Sequence, residues 1–253
     1  MKSINNFADH APLPDWIKNF FDKPETFFAE NNLGKNQLVY YKRFLFDSEL
    51  VDKKGLKITE FTNLVKKIGW NTSTAWGLIL VNLVYNNPQV RWYVENMPVG
   101  VQIGRKEVEK SLQAVNVSVK DSKSIVKAFK RLCEIPLGTE LNFGVTSSTG
   151  KNLATLKRTK AKIGDSKVIL YALYKLAETI GQNQFNLTKL INLTDSDGVS
   201  PTKIFGIDYE EMQQILNGLA ANYKDFISVS FTHDLEKISL SEEKSSAEVL
   251  KLF

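Results

Sequence analysis

The stretch from Ser118 to Cys133 reads Ser-Val-Lys-Asp-Ser-Lys-Ser-Ile-Val-Lys-Ala-Phe-Lys-Arg-Leu-Cys. Its apolar residues recur at intervals of three and four, which places them on one side of a helix: Ile125, Val126, Phe129, Leu132 and Cys133. The opposite side is basic and carries Lys123, Lys127, Lys130 and Arg131. The pattern predicts an amphipathic helix whose apolar face is buried and whose basic face points to solvent or to a partner.

Charge is unevenly placed along the rest of the chain. Between Lys120 and Lys167, 11 Lys and Arg residues stand against 4 Asp and Glu residues, a net charge of +7. Between Phe205 and Phe253, 4 basic residues stand against 9 acidic ones, a net charge of −5. The basic block favours a polyanionic partner, and the acidic end favours a different contact or plain solvent.

Length and composition describe an ordinary folded protein. The 253 residues are enough for one large domain or two to three small ones, and a hydrophobic fraction of 43% supports a packed core. The single cysteine, Cys133, excludes an intrachain disulfide and fits a reducing cytoplasm, and its apolar neighbours predict a buried thiol. The longest apolar run, from Ala75 to Tyr85, is too short to cross a membrane. We therefore expect a cytoplasmic protein with no membrane contact.

Proline, glycine and helix-capping residues mark the ends of predicted elements and divide the chain into four segments. Residues 1–24 read as a proline-broken lead-in or linker, and 25–100 as a helical module of the helix-turn-helix type. Residues 101–164 form a basic middle module, in which 143–152 read as turn-rich and 153–163 as strand-like. Residues 165–253 form a C-terminal module.

The sequence pattern of the C-terminal module predicts three helices followed by a β-hairpin. The hairpin would pair Phe226–Thr232 with Lys237–Leu240 across His233 and Asp234. This is the element order of a winged helix. The predicted fold class is therefore α+β, mainly α with small β-hairpins, built as tandem helix-turn-helix or winged-helix-like modules.

No catalytic or metal-binding pattern is complete. The segment Gly144–Asn152 resembles a phosphate-binding loop, but it has five residues between its glycines where four are needed, so a polar loop is the better interpretation. The segment Asp195–Gly198 lacks the remaining ligands of a calcium loop. The two histidines, His10 and His233, do not form a metal-binding pair. The sequence thus predicts no catalytic residue, no metal and no cofactor.

Basic residues on two predicted elements are the candidate site. We expect phosphate contacts from Lys123, Lys127, Lys130 and Arg131 on the helix and from Lys157, Arg158 and Lys160 on the strand or wing, with Lys35 and Lys151 as additional contacts. The alternative is a solvated helix face and an edge strand protected by lysine. The third helix of the C-terminal module begins Asp208-Tyr-Glu-Glu, which would repel phosphates, so that module is expected to contact protein.

Short motifs spread over residues 25–253 resemble a family of bacterial proteins of unknown function. They are Phe27-Phe28, Leu33-Gly34-Lys35-Asn36, Ala75–Leu80, Trp92-Tyr93, Ser200-Pro201, Ile204–Ile207 and Glu248–Phe253. The family module occurs alone or at the C-terminus of proteins with a phosphoadenosine-phosphosulfate-reductase-like domain. Some members are associated with DNA phosphorothioation and related defence loci.

The resemblance implies two functions. In the first, the chain is a non-catalytic protein that binds double-stranded DNA in a bacterial DNA-modification or defence system. In the second, it is an accessory domain for a protein partner with sulfur-transfer or nucleotide-activating activity, docked through its acidic module and through Trp16, Phe20 and Phe21. The reductase-like enzymes use a Ser-Gly-Gly-type loop and often a cysteine-bound iron–sulfur cluster, and this sequence has neither. Any such chemistry is therefore expected in an upstream domain or a partner, and an enzymatic site without a recognisable motif is the remaining alternative.

Overall fold

The structure is a computed structural model that describes residues 4–149, 152–193, 198–232 and 235–253. The chain forms two compact units, Met1–Lys162 and Ile163–Phe253. The expected boundary between 164 and 165 lies two residues from this division, whereas the expected boundaries at 24 and 100 both fall inside the first unit.

The first unit begins with six helices. They are α1 (Pro14–Asp22), α2 (Phe27–Glu30), α3 (Lys35–Asp47), α4 (Glu60–Ile68), α5 (Ser73–Asn86) and α6 (Pro88–Asn96). The Thr72 side chain caps α5 by accepting a hydrogen bond from the backbone N–H of Ala75 at 3.3 Å. Every residue of α5 from Ala75 to Val84 is buried, which explains its continuous apolar sequence.

A small sheet and three further helices complete the first unit. The elements are β1 (Gln102–Gly104), α7 (Arg105–Ala114), α8 (Val119–Glu134), α9 (Pro136–Thr139), β2 (Gly144–Thr149) and β3 (Asn152–Arg158). The three strands are antiparallel in the order β1-β3-β2. Residues 144–149, expected to be turn-rich or a polar loop, form strand β2, because they pair along β3 from Gly144↔Arg158 to Thr149↔Asn152.

The second unit has the same kind of sheet. Its elements are α10 (Lys167–Ile180), β4 (Gln184–Asn186), α11 (Leu187–Ile191), α12 (Pro201–Phe205), α13 (Tyr209–Asn222), β5 (Ile227–Thr232), β6 (Leu235–Leu240) and α14 (Ser246–Leu250). The strands are antiparallel in the order β4-β6-β5. The α+β class with small antiparallel sheets is confirmed. Strand β4 is not among the elements predicted from the sequence.

Both units follow one topology. In each, a first strand is followed by helices and then by a hairpin, and the last strand lies in the middle of the sheet. The longest helix between the first strand and the hairpin, which we call the central helix, is α8 with 16 residues in the first unit and α13 with 14 in the second. The basic middle segment and the C-terminal segment therefore repeat the same arrangement.

Aromatic packing holds α8 against its surroundings. Phe129 of α8 contacts Tyr93 of α6, with ring centroids 4.9 Å apart, and Tyr93 stacks on Phe143 at 4.4 Å. A Cβ at Gly144 would lie 2.4 Å from the hydroxyl oxygen of Tyr93, so the close approach of β2 to this cluster requires glycine. Within the described residues, no helix is long and apolar enough to span a membrane.

Cys133 lies in this packed region, as the helical pattern predicts. Burial raises the pKa of its thiol to about 12, and the neighbouring charge of Glu134 acts in the same direction. We therefore expect Cys133 to react with a thiol-specific reagent at pH 8 at least about a hundredfold more slowly in the native protein than in guanidinium chloride. A chromogenic disulfide reagent measures both rates on one sample, and a fast native reaction would show that the thiol is accessible.

Candidate nucleic-acid interface

The two units carry opposite charge. Residues 1–162 contain 25 Lys and Arg against 15 Asp and Glu, a net charge of +10. Residues 163–253 contain 8 against 13, a net charge of −5. The two blocks of opposite charge seen in the sequence thus belong largely to different units, and a polyanion would be attracted to the first unit.

Helix α8 forms because its sequence supplies a cap and two distinct faces. The Ser118 hydroxyl accepts a hydrogen bond from the backbone N–H of Asp121 at 3.0 Å and so caps the first turn. The apolar side is buried, including Ile125, Val126, Phe129 and Leu132, as predicted. The outward side presents exposed lysines at intervals of three and four residues: Lys120, Lys123 and Lys127.

A segment near the N-terminus, residues 5–11, lies along one edge of this basic face; we call it the N-terminal strap. Asn5 Nδ2 donates to Asp121 Oδ1 at 2.7 Å, and Lys127 Nζ lies 3.4 Å from Asp9 Oδ2. Arg131 Nη1 donates to the backbone carbonyl oxygens of Asp9 and Ala11. The strap therefore engages two of the predicted phosphate contacts, Lys127 and Arg131.

The strap is anchored by its own buried residues. The side chains of Phe7 and Ala11 are fully buried. The backbone N–H groups of Asn6 and Phe7 both donate to Gln89 Oε1, at 3.0 and 3.2 Å. Nothing in the sequence signalled that residues 5–11 would meet a helix more than a hundred residues away.

The carboxyl group of Asp9 interacts with polar and charged side chains of α8. Partial burial alone would raise its pKa, but hydrogen bonds from Ser124 and Lys127 and the charge of Lys127 outweigh this effect and lower the pKa. Asp9 is therefore ionised at neutral pH and offsets part of the positive charge of Lys127, which remains 58% exposed.

The other predicted contacts on α8 differ in how available they are. Lys130 Nζ lies 3.8 Å from Glu134 Oε1 and is 28% exposed, so its charge is partly neutralised. Within the described part of the chain, Lys120 and Lys123 form no ion pair. Lys120, which was not among the predicted contacts, is therefore as open to a ligand as Lys123.

The β2–β3 hairpin presents a hydroxyl-rich face beside one lysine. Lys157 lies opposite Val145 and Gln102 in the sheet, on the face that also carries the Ser147–Thr155 hydroxyl pair, whose oxygens are 2.6 Å apart. Lys160, just beyond β3, is exposed. Lys151 lies outside the described residues.

Arg158 corrects the predicted set. Its side chain is only 4% exposed, and its Nη1 donates to the backbone carbonyls of Val94 and Met97 at 2.5 and 3.2 Å. Burial lowers the pKa of its guanidinium to about 10, which leaves it charged at neutral pH. Because successive strand residues point to opposite sides of a sheet, Arg158 faces inward beside an outward Lys157. Arg158 joins β3 to the end of α6 and is not a phosphate contact.

The aromatic residues expected to dock a partner are also corrected. Trp16, Phe20 and Phe21 are 7%, 0% and 3% exposed. Phe20 packs edge-on against Phe27, with ring centroids 5.6 Å apart. These side chains pack inside the first unit instead of forming a docking surface on a linker. Lys35 is the first residue of α3 and is exposed. It belongs to a different helix from the lysines of α8.

The central helix of the second unit has a different surface. The Asp208 side chain caps α13 by accepting from the backbone N–H of Glu211 at 3.0 Å. No Lys or Arg occurs from Tyr209 to Asn222, and the exposed positions include Glu210, Gln214 and Asn217. This helix is unsuited to phosphate contact, as its sequence predicts.

Comparisons with known proteins bear on the fold. Two crystal structures of SspB, one of them magnesium ion-bound, match this chain with TM-scores of 0.69 and 0.68 and sequence identities of 15% and 13%. Each alignment covers 100% of this chain and 88% of the SspB chain. At this identity the similarity establishes the fold alone. No protein-family model matches the sequence, and no curated protein sequence matches it.

Among the residues that the structure describes, no group of three or more His, Cys, Asp or Glu side chains could hold a metal ion. The predicted calcium-like turn at Asp195–Asp197 and the pair His233 and Asp234 lie outside the described residues.

The different roles of Arg158 and Lys157 give a matched test of the geometry. We expect Arg158→Met to lower the free energy of unfolding by about 2–4 kcal/mol, because two buried carbonyls lose their donor. Lys157→Met, on the outward face, is expected to change it by less than about 0.5 kcal/mol. Urea unfolding followed by circular dichroism measures both, and equal effects would contradict the assignment of Arg158 and Lys157 to opposite faces of the sheet.

Proposed function

We propose that this protein binds double-stranded DNA through the first unit, with α8 as the principal contact and the β2–β3 hairpin beside it. The observation that carries the proposal is the position of the basic face. Lys120, Lys123 and Lys127 stand on the central helix, which precedes the β2–β3 hairpin in the chain as a recognition helix precedes the wing of a winged helix.

The dimensions of α8 suit a duplex. From Lys120 to Lys130 the helix extends about 15 Å, at 1.5 Å per residue. The major groove of B-DNA is about 12 Å wide and admits an α-helix, and its two bordering strands offer phosphates on either side. Lysines spaced along the helix, with Lys157 on the hairpin and Lys160 just beyond it, could therefore contact phosphates without reading base sequence.

The biological setting is also part of the proposal. The sequence resembles a family with members associated with DNA phosphorothioation, and the fold is similar to that of SspB. We place the protein in a bacterial DNA-modification or defence system, in which it would supply DNA binding and any group-transfer chemistry would belong to a partner.

A charge-reversal variant tests the proposal. We expect Lys123→Glu combined with Lys127→Glu and Lys130→Glu to weaken binding to a fluorescent duplex of about 25 base pairs at least about tenfold at 0.1 M salt, because attraction to phosphates becomes repulsion. Fluorescence anisotropy at several salt concentrations gives the affinity and the number of phosphate contacts. Arg131 is left in place because it holds the strap.

The matched control reverses three exposed lysines of the second unit: Lys224, Lys237 and Lys251. It makes the same change in net charge and is expected to alter the affinity less than about twofold at that salt concentration, since the proposed phosphate contacts all belong to the first unit and salt screens the general effect of net charge. Equal losses in both variants would show that net charge, and not α8, governs binding. Absence of binding by the unmodified protein at low salt would refute the proposed function.

The strap provides a prediction of opposite sign. Asp9→Asn removes the carboxylate that lies 3.4 Å from Lys127 and should raise affinity for the duplex about two- to fivefold, the range expected for one exposed ion pair. Asp22→Asn, which removes an exposed carboxylate paired with Lys18, is the control and should leave affinity unchanged. Weaker binding by Asp9→Asn would mean that the strap supports the DNA contact instead of opposing it.

A second function is favoured by the surface of α13. That helix lacks basic residues, belongs to a unit with a net charge of −5, and occupies the position that α8 holds in the first unit. It fits a protein partner, such as one with sulfur-transfer or nucleotide-activating activity. A stable complex with such a protein that survives reversal of the α8 lysines, together with no DNA binding, would favour this function.

A further inference from the structure

A second cluster of lysines lies between α3 and α4, in residues 51–58, which we call the lysine hairpin. It presents Lys53, Lys54 and Lys57, all exposed, within five residues. None of these three was among the contacts predicted from sequence, because the segment lies outside the basic block at 120–167. Among the described residues, none of the three forms an ion pair.

The base of the lysine hairpin is fixed to the core. Leu50 and Val51 are 0% and 2% exposed, and Val51 pairs with Ile58 in an antiparallel bridge. The Thr59 hydroxyl donates to the Glu49 carbonyl at 2.6 Å, and the backbone N–H of Thr59 donates to the Leu50 carbonyl at 3.1 Å. Both ends of the hairpin are therefore held in place at the start of α4.

The tip is closed by its own hydrogen bonds. The backbone N–H of Asp52 donates to the Lys57 carbonyl at 2.8 Å, and that of Leu56 donates to the Asp52 carbonyl at 3.1 Å. Asp52 Oδ2 accepts from the backbone N–H of Gly55 at 2.9 Å. Hydrogen bonds from the backbone N–H groups of Gly55 and Lys54, with a smaller effect of the Lys54 charge, lower the pKa of Asp52, so its carboxylate is ionised and held in the turn.

An ordered tip with unpaired cations is suited to a polyanion. Because the backbone is already fixed, the conformational ordering that binding requires at the hairpin is confined to the lysine side chains. The adjacent cleft has a volume of about 590 Å³ and is also lined by Glu49 and Glu60, which disfavour a small free anion inside it. The cations at the tip instead fit an extended array of phosphates that passes over the hairpin.

We propose that the lysine hairpin is a second phosphate-contact site for double-stranded DNA, formed by Lys53, Lys54 and Lys57. The proposal rests on the proposed function, since the ligand is the same duplex. It adds a contact from the N-terminal helical half of the first unit to those of α8. The contact is with the backbone only and adds affinity without sequence preference.

The salt dependence of binding tests this site. In the anisotropy titration, the variant with Lys53→Ala, Lys54→Ala and Lys57→Ala should lower the magnitude of the slope of log K against log salt by about 2 to 3, since each phosphate contact contributes about 0.9. The control variant removes Lys18, Lys23 and Lys66 by alanine substitution. Those three belong to the same unit but pair with Asp22, Glu30 and Glu25, and the slope should stay within about 0.5 of the unmodified value.

Lysine acylation provides a second readout on the unmodified protein. With saturating duplex, Lys53, Lys54 and Lys57 should be labelled several-fold more slowly, as followed by mass spectrometry, whereas Lys18 and Lys23 should be unaffected. An unchanged slope in the hairpin variant, or unchanged labelling of all three lysines, would overturn this inference.

The two proposals fail in different ways. If the unmodified protein binds the duplex and reversal of the α8 lysines abolishes binding, but the hairpin variant matches its control, only the hairpin site is lost. If the unmodified protein does not bind, the proposed function itself fails. Circular dichroism of each variant establishes that a loss of binding is not a loss of folding.

Discussion

The packing of Phe129 against Trp92 and Tyr93 is the contact that determines which side of α8, and so which lysines, face outward. The rings of Phe129 and Trp92 are stacked with centroids 6.0 Å apart, and Tyr93 continues the cluster to Phe143. Because Phe129 is on the apolar side of α8, burying it turns outward the lysines two, six and nine residues before it, Lys127, Lys123 and Lys120. The same cluster sets the position of β2, since Gly144 lies against Tyr93. One hydrophobic contact thus orients both elements of the candidate interface.

The two units show how one topology can carry opposite surfaces. Strand order and helix placement are repeated, yet the exposed side of α8 is lysine-rich and that of α13 has acidic and amide side chains. Buried apolar residues determine the repeated fold, and they leave the outward positions of the central helix free to vary. The function of each unit therefore has to be argued from its surface, and the shared fold alone does not supply it.

Residues distant in sequence change how far each basic side chain of α8 is available to a ligand. Asp9 and Asn5 reach α8 from the start of the chain, and a buried Gln89 holds the strap in place. The strap lowers the local positive potential at Lys127. Its backbone carbonyls also accept hydrogen bonds from Arg131, which therefore holds the strap in place. Lys120 and Lys123, which the strap does not pair, carry more of the available charge. The number of basic residues on a helix face is consequently an upper bound on the number of cations that a ligand can contact.

The α+β class, the amphipathic character of α8 and the uneven charge were all predictable from local sequence, because periodicity and capping depend on neighbouring residues. The sequence also predicted that Cys133 would be buried. Only the tertiary structure separated Arg158 from Lys157, since two adjacent basic residues on a strand look equivalent until the sheet register assigns one to each face. Only the tertiary structure showed that Trp16, Phe20 and Phe21 are core residues and that the strap covers one edge of α8. These facts depend on contacts between distant segments, which no local pattern encodes.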